Sequence, residues 1–287
     1  MRLEPDKEDR ERREVGAREK NHDLIARLRH EATIRDAELE ALRARLDAAE
    51  HELEDLCAIR DALTPFELPL RPGLDLAAAF VPAAERVSGD FYLVAEGPQD
   101  STLLLVGDVV GHGLHAAQRA AFVRTAFAST APFSDDPRKL LGWANAALVE
   151  RAGTGHEYVT AACVTYLPEN QILRWAYAGH PPALWLHNGR QLAAPKQGLP
   201  LGVVDEPTFA EGALRSDGPG GVLLYTDGLT EARRKGEFFG LDRVNGALAE
   251  LADPTPSEAV ELLRTRVSDF ADGPLTDDLC LLAARIA

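Results

Sequence analysis

Four aspartates in this chain each stand where an apolar, strand-like run breaks, and together they restrict what the chain can fold into. They are Asp90 in Val-Ser-Gly-Asp-Phe-Tyr, Asp108 in Leu-Leu-Leu-Val-Gly-Asp-Val-Val-Gly-His-Gly, Asp227 in Val-Leu-Leu-Tyr-Thr-Asp-Gly-Leu-Thr-Glu, and Asp277 in Leu-Thr-Asp-Asp-Leu-Cys-Leu-Leu. A carboxylate at the end of a buried strand is costly to desolvate unless a positive charge neutralises it. The basic residues near these stretches are Arg86 and, just beyond Glu231, Arg233. Hard divalent cations, which prefer oxygen ligands, supply the missing counter-charge best. Spacings of 18, 119 and 50 residues let the four acids meet only through tertiary structure. Taken singly, an aspartate beside a glycine is most often a turn cap.

The 287 residues have room for one substantial domain and an accessory segment. No apolar run is long enough to span a bilayer, and the charged N-terminus lacks an apolar signal core, so a cytoplasmic protein is expected. A net charge of −15, of which the first 64 residues carry −5, argues against nucleic-acid partners and against an anionic membrane surface. Cys57, Cys163 and Cys280 lie far apart without metal-ligand spacing, and read as reduced thiols, the last two as packing residues.

Between Pro5 and about Leu63 the chain has no proline, one glycine, and many strong helix formers. Ile25, Leu28, Ala32, Arg35, Leu39, Leu42, Leu46, Ala49, Leu53, Leu56, Arg60 and Leu63 alternate three and four apart. That spacing lays a narrow seam along one long helix, as a two-stranded left-handed coiled coil requires. A single charged helix lying on the globular domain is the alternative. Pro65, Pro69 and Pro72 end the helix and stiffen the step into the next part. The expected division is residues 1–64, helix and coiled coil, and 65–287, a globular domain.

In the globular part the pattern predicts strands at Leu74–Val81, Asp90–Ala95 and Thr102–Val109, then helices at Gly113–Thr130 and Pro137–Arg151, the second capped from Ser134-Asp135-Asp136. Strands follow at Tyr158–Tyr166, Gln171–Ala178, Ala183–His187 and Val222–Thr226, with turns at Pro168-Glu169-Asn170 and Asn188-Gly189. Helices around Arg243–Leu251 and Ser257–Phe270 precede a last strand, Asp278–Ile286. Strands grouped between helix pairs imply an α+β layered domain.

The flanks of the four acids carry a resemblance. Pro82-Ala83 with Ser88-Gly89-Asp90-Phe91-Tyr92, Gly107-Asp108-Val109-Val110-Gly111-His112-Gly113 with Ala116-Ala117, Ala178-Gly179-His180-Pro181-Pro182, Leu199-Pro200-Leu201-Gly202, Tyr225-Thr226-Asp227-Gly228-Leu229-Thr230-Glu231-Ala232 and Asp277-Asp278 occur in order. The set resembles the bacterial PP2C-like serine/threonine phosphatases of the stage II sporulation protein E and RsbU branch, over about Leu63 to Ala287. The resemblance implies an αββα sandwich with two Mn²⁺ or Mg²⁺ ions at one end of the paired sheets. Asp108 would bridge the ions, Asp90 and the Val109 carbonyl would hold one, and Asp227 with Asp277 the other. It also implies a phosphorylated protein substrate, an anti-anti-sigma factor of the STAS type, hydrolysed by a metal-activated water. A homodimer through the N-terminal helix and an upstream regulatory protein belong to the same expectation.

Four departures stand out: Ser88 for the first glycine of Gly-Gly-Asp, Leu93 for an aspartate after Phe-Tyr, Tyr177 for an asparagine before Ala-Gly-His, and Cys280 for a threonine. None removes a ligand. His112 fits a phosphate contact or a surface turn; Asp278 fits a partner of Asp277 or a strand cap. His180 reads as a loop anchor, and Glu231 as an anchor near Asp227. The phosphate loop of nucleotide hydrolases, the two-histidine metalloprotease helix and the Gly-x-Ser-x-Gly elbow are all missing. The rival reading is an inactive coiled-coil scaffold that binds a phosphoprotein.

Overall fold

A computed structural model describes residue 35 and residues 38–47, 68–83, 88–111, 113–151, 158–215 and 220–286. The chain divides into two compact units, Met1–Cys57 and Ala58–Ala287. In the first, residues 38–47 are helical, and the seam leucines Leu39, Leu42 and Leu46 are exposed. Apart from Arg35, the rest of the expected heptad run lies outside the described residues, as do the 64/65 boundary, Cys57 and His112. Among the described residues no helix is long and apolar enough to cross a membrane.

The second unit is built on two antiparallel sheets. Strands β1 (Leu74–Val81), β2 (Phe91–Glu96), β3 (Thr102–Val109), β4 (Val159–Leu167), β5 (Ile172–Ala178), β6 (Leu184–Trp185), β7 (Gly212–Arg215), β8 (Gly221–Tyr225) and β11 (Leu279–Ile286) form them. One sheet has the order β1-β11-β8-β6 and the other β2-β3-β4-β5-β7. Between them packs a layer that includes Tyr92, Leu104, Val106, Val164 and Tyr177 from one sheet and Val222, Leu224, Cys280 and Leu282 from the other. Leu104 and Leu105 alternate across β3, so one faces this layer and the other the helices outside.

Helices cover both outer faces. Helix α1 (Leu114–Thr130) buries Ala116, Ala120, Val123 and Phe127, a three-and-four spacing that puts one stripe on the five-stranded sheet. Beside it α2 (Pro137–Arg151) buries Leu140, Leu141, Ala144 and Leu148. The Asp136 carboxylate accepts the Arg138 backbone N–H at 2.9 Å at the start of α2, the cap the sequence implied. On the other sheet lie α4 (Gly240–Ala249) and α5 (Pro256–Phe270), after the single-turn α3 (Gly228–Glu231). Thr255 and Glu258 close a capping box on α5. The architecture is the expected αββα sandwich, and the free thiols Cys163 and Cys280 are buried in it.

Several elements differ from the sequence expectation. β6 stops at Trp185, because the Asn188 and Gly189 N–H groups both fold back onto the Trp185 carbonyl. α4 begins at Gly240, three residues early, and the Arg243 guanidinium donates backwards to the carbonyls of Phe238 and Phe239. β7 was not anticipated: it is short, mostly exposed, and starts at Gly212, which lies flat against Trp175. The hairpin of β9 (Arg233–Arg234) and β10 (Glu237–Phe238) was hidden by its charge, and turns at Lys235-Gly236, both with positive φ.

Candidate metal centre

The four aspartates come from four different chain segments that the two sheets end together. Asp90 immediately precedes β2, and Phe91 pairs with Gly107, so Asp90 and Asp108 lie at one end of neighbouring strands. Asp227 follows β8, and Asp277 precedes β11. β8 and β11 pair from Tyr225 and Leu281 backwards, and the Thr226 N–H donates to the Cys280 carbonyl at 3.1 Å. Each sheet therefore contributes two acids.

Two glycines are needed for that arrangement. A Cβ at Gly89 would lie 2.6 Å from the Val109 carbonyl oxygen, so the missing side chain is what lets that oxygen sit beside the Asp90 turn. The Val109 N–H donates to the Gly89 carbonyl across the same contact. In the other sheet a Cβ at Gly228 would lie 2.0 Å from the Asp278 carbonyl oxygen. The Asp227 turn is thus pressed onto the Asp277-Asp278 segment with no space between them. Gly107, by contrast, makes room for the ring of Phe91.

Side chains lock this frame. The Ser88 hydroxyl accepts the Asp90 N–H at 2.8 Å, so the unusual serine builds the turn that holds Asp90. An Asp278 oxygen accepts the Ala83 N–H at 2.7 Å, tying the end of β1 to the start of β11, while Asp277 accepts the Asp278 N–H at 2.9 Å. His180 is fully buried between the sheets. Its Nε2 lies 2.9 Å from the Tyr225 carbonyl and its Nδ1 2.7 Å from the Thr160 hydroxyl. A carbonyl can only accept, so Nε2 carries the proton and Nδ1 accepts from Thr160. Burial lowers the imidazole to about 4, keeping it neutral. Thr160 pairs with Asp108, and Tyr225 stands two residues before Asp227. This histidine bolts the two halves of the acid cluster together, a firmer role than the loop anchor expected.

The electrostatics show the acids sharing one space. Burial pushes Asp90 well above the carboxylate range, and the Asp108 charge pushes it further. Asp108 is raised by burial and by Asp277 and Asp278, while a hydrogen bond with Asp90 pulls it back. Asp227 rises to about 6 through burial first, then through Asp108, Asp277 and Glu231. Asp90 Oδ2 is buried without a hydrogen-bond partner. An orphaned carboxylate oxygen in a cluster of mutually repelling acids suits a hard cation. Among the described residues no three acidic, histidine or cysteine side chains are already gathered into a cage. Thr226 and Thr160 carried no sequence signal of their own beyond their places in the Asp227 motif and opposite β3.

Residues 98–287, two thirds of the chain, match the stage II sporulation protein E family. The chain belongs to that family. The phosphoserine phosphatase RsbP of Bacillus subtilis is 25% identical over 177 residues, covering 60% of this chain and 44% of RsbP. The RsbU and RsbW domains of Rv1364c from Mycobacterium tuberculosis superpose with a TM-score of 0.65 at 25% identity, over 78% of this chain and 62% of that one. The SiaA PP2C domain of Pseudomonas aeruginosa gives 0.71 at 22% identity over 85% of this chain and 99% of its own, which shows the shared fold. Of the curated relatives it matches, the chain spans less than half the length. The stage II sporulation protein E match begins at Pro98, so Asp90 and its Ser88 turn lie just ahead of the matched residues.

Proposed function

We propose that this chain is a divalent-metal-dependent serine/threonine protein phosphatase. The convergence of two acids from each sheet on one end of the sandwich, with a buried Asp90 oxygen left over, carries this reading. In it Asp108 would be shared by two cations, Mn²⁺ or Mg²⁺; Asp90 and the Val109 carbonyl would hold one, and Asp227 with Asp277 the other. The chemistry such ions supply when bound is a water of lowered pKa and compensation of charge on the phosphoryl oxygens. Asp90, Asp108 and Asp227 would have to lose their protons to hold a cation, so loading would strengthen with rising pH. Neutral His180 keeps the acid pairs of the two sheets in register while they do so.

The substrate in this reading is phosphoserine or phosphothreonine on a signalling protein, a STAS-type anti-anti-sigma factor. Kinship with RsbP and with an RsbU-type domain supports it. The protein is cytoplasmic, and the heptad seam of the N-terminal helix makes it a homodimer open to an upstream regulator. Phosphate release from p-nitrophenyl phosphate and from a phosphorylated STAS protein, with and without Mn²⁺, tests the activity. Release that persists in excess chelator, or in Asp108→Asn, sinks the two-cation reading. Light scattering on the full chain and on residues 64–287 tests the dimer: equal monomeric masses would end that part.

A further inference from the structure

The rim around the Asp108 end has a surface unlike the acids it surrounds. Val109 pairs with Val159, and Val159 exchanges both backbone hydrogen bonds with Leu201, at 3.0 and 2.8 Å. Three segments therefore lie side by side, Asp108–Val110, Tyr158–Thr160 and Leu199–Val203, with Leu201 about 10 Å from Val109 at two ladder spacings. Their outward side chains are apolar. Val110, Tyr158, Leu199 and Val203 are 39–52% exposed, and Leu114, in the first turn of α1, 38%. The Leu201–Asp205 loop is held from below: Asn145, fully buried in α2, accepts the Gly202 N–H and donates to the carbonyls of Val204 and Asp205. The apolar rim is thus fixed in place.

Directly beside Leu114 the surface turns basic. A cleft of about 180 Å³ runs between the start of α1 and the end of α2, lined by His115, Gln118, Arg119, Phe122 and Arg151. The Arg151 guanidinium lies over the Phe122 ring at 4.4 Å. α1 leads away from Asp108 and α2 returns towards Val159, so the cleft opens at the same end as the acids. The lining of this cleft holds two arginines and a histidine and no acid.

We propose that this rim and cleft form the docking surface for the phosphoprotein substrate, which presents an apolar patch flanked by carboxylates beside its phosphorylated residue. The inference rests on the phosphatase reading. Whatever protein delivers a phosphoryl group to Asp108 must lie against this rim, so the surface is continuous with the reaction site. Charge decides the orientation. An anionic phosphoprotein is repelled by the acidic surroundings, and the basic cleft is the side that attracts its carboxylates. Apolar contact at the rim then supplies affinity once the encounter is made.

The test uses the full chain, Mn²⁺ and two substrates, p-nitrophenyl phosphate, which needs no docking, and a phosphorylated STAS protein. Leu199→Asp and Arg151→Glu change exposed side chains outside the acid cluster, and Leu199→Ala is the mild control. The expected result is a fall of about tenfold or more in kcat/KM for the phosphoprotein in each of the first two variants, with p-nitrophenyl phosphate within about twofold of wild type. Loss on both substrates alike, or on neither, overturns the proposal. So does a wild type that hydrolyses p-nitrophenyl phosphate but fails to bind the phosphoprotein, or a variant whose only change is in oligomeric mass. If wild type hydrolyses neither substrate, the phosphatase reading fails. Docking is then decided separately by phosphoprotein binding to wild type against Leu199→Asp, where equal affinities would overturn it.

Discussion

The two halves of the acid cluster are built on different principles. Asp227 and Asp277 sit in a close-packed joint, where Gly228 touches the Asp278 carbonyl and the Thr226 backbone is stitched to Cys280. Asp90 and Asp108 sit in a looser one, where a serine hydroxyl holds the turn and one Asp90 oxygen has no partner. The first half is fixed by close packing together with backbone hydrogen bonds. The second is held by hydrogen bonds and by the close Gly89–Val109 contact, and its unpaired oxygen suits a counter-charge. On the proposed reading both halves hold a cation, and the half with the unpaired Asp90 oxygen should depend on it more.

The largest effect should come where the halves meet. Asp108→Asn removes the acid assigned to both cations, and phosphate release should fall by about a hundredfold to a thousandfold, measured as kcat with p-nitrophenyl phosphate. Retention of wild-type activity would make the halves independent. Gly228→Ala sharpens the contrast: its Cβ would stand 2.0 Å from a backbone oxygen, and the joint must open. Unfolding in urea should show a loss of about 3 kcal/mol. Gly89→Ala meets Val109 at 2.6 Å and should cost less stability while weakening Mn²⁺ binding more. The reverse ranking would refute the division between a packed half and a cation-dependent half.

His180→Asn comes next. Asparagine cannot reach both the Thr160 hydroxyl and the Tyr225 carbonyl, so at least one buried group is orphaned, at a cost of about 1–3 kcal/mol. Calorimetry should show a lowered Tm that Mn²⁺ restores less fully than in wild type.

The smallest effect is one of pH. Asp227 has an ordinary value of 3.8 and a folded value of about 6, so the metal-free folded chain holds its proton more tightly than the unfolded chain does. Its contribution to stability is intact below about pH 4 and is lost as pH rises through about 6. Asp227→Asn should therefore stabilise the metal-free protein at pH 7 relative to wild type, and not at pH 3.5. Matched urea titrations in chelator at the two pH values read this directly, and an equal shift at both would contradict it.

What was legible in the sequence was mostly periodic or punctuated. The α1 stripe, the α2 cap, the β3 run into Gly107-Asp108 and the two tight turns all follow from local spacing, and the structure has them. The motif flanks named the acids that meet. What could not be read were contacts between distant segments: Asp278 holding Ala83, His180 spanning both sheets, and the reason for Gly228. No periodicity records a partner 195 residues away. The β9–β10 hairpin escaped for the opposite reason, since its strands are two residues long and charged.

β1 has one further consequence. Just before it, Arg71 reaches across to the Thr102 hydroxyl, the Glu96 carboxylate and the carbonyls of Asp100 and Ser101, all at the turn end of β2–β3. Just after it, Ala83 is hydrogen-bonded to Asp278 at the acid end. Eight residues of extended backbone, about 26 Å, separate the two anchor points, and all eight are laddered to β11. In mechanical terms β1 is a push-rod with a fitted joint at each end. The eight-residue register with β11 holds that rod against sliding, so the Arg71 anchor and the acid end keep a fixed separation.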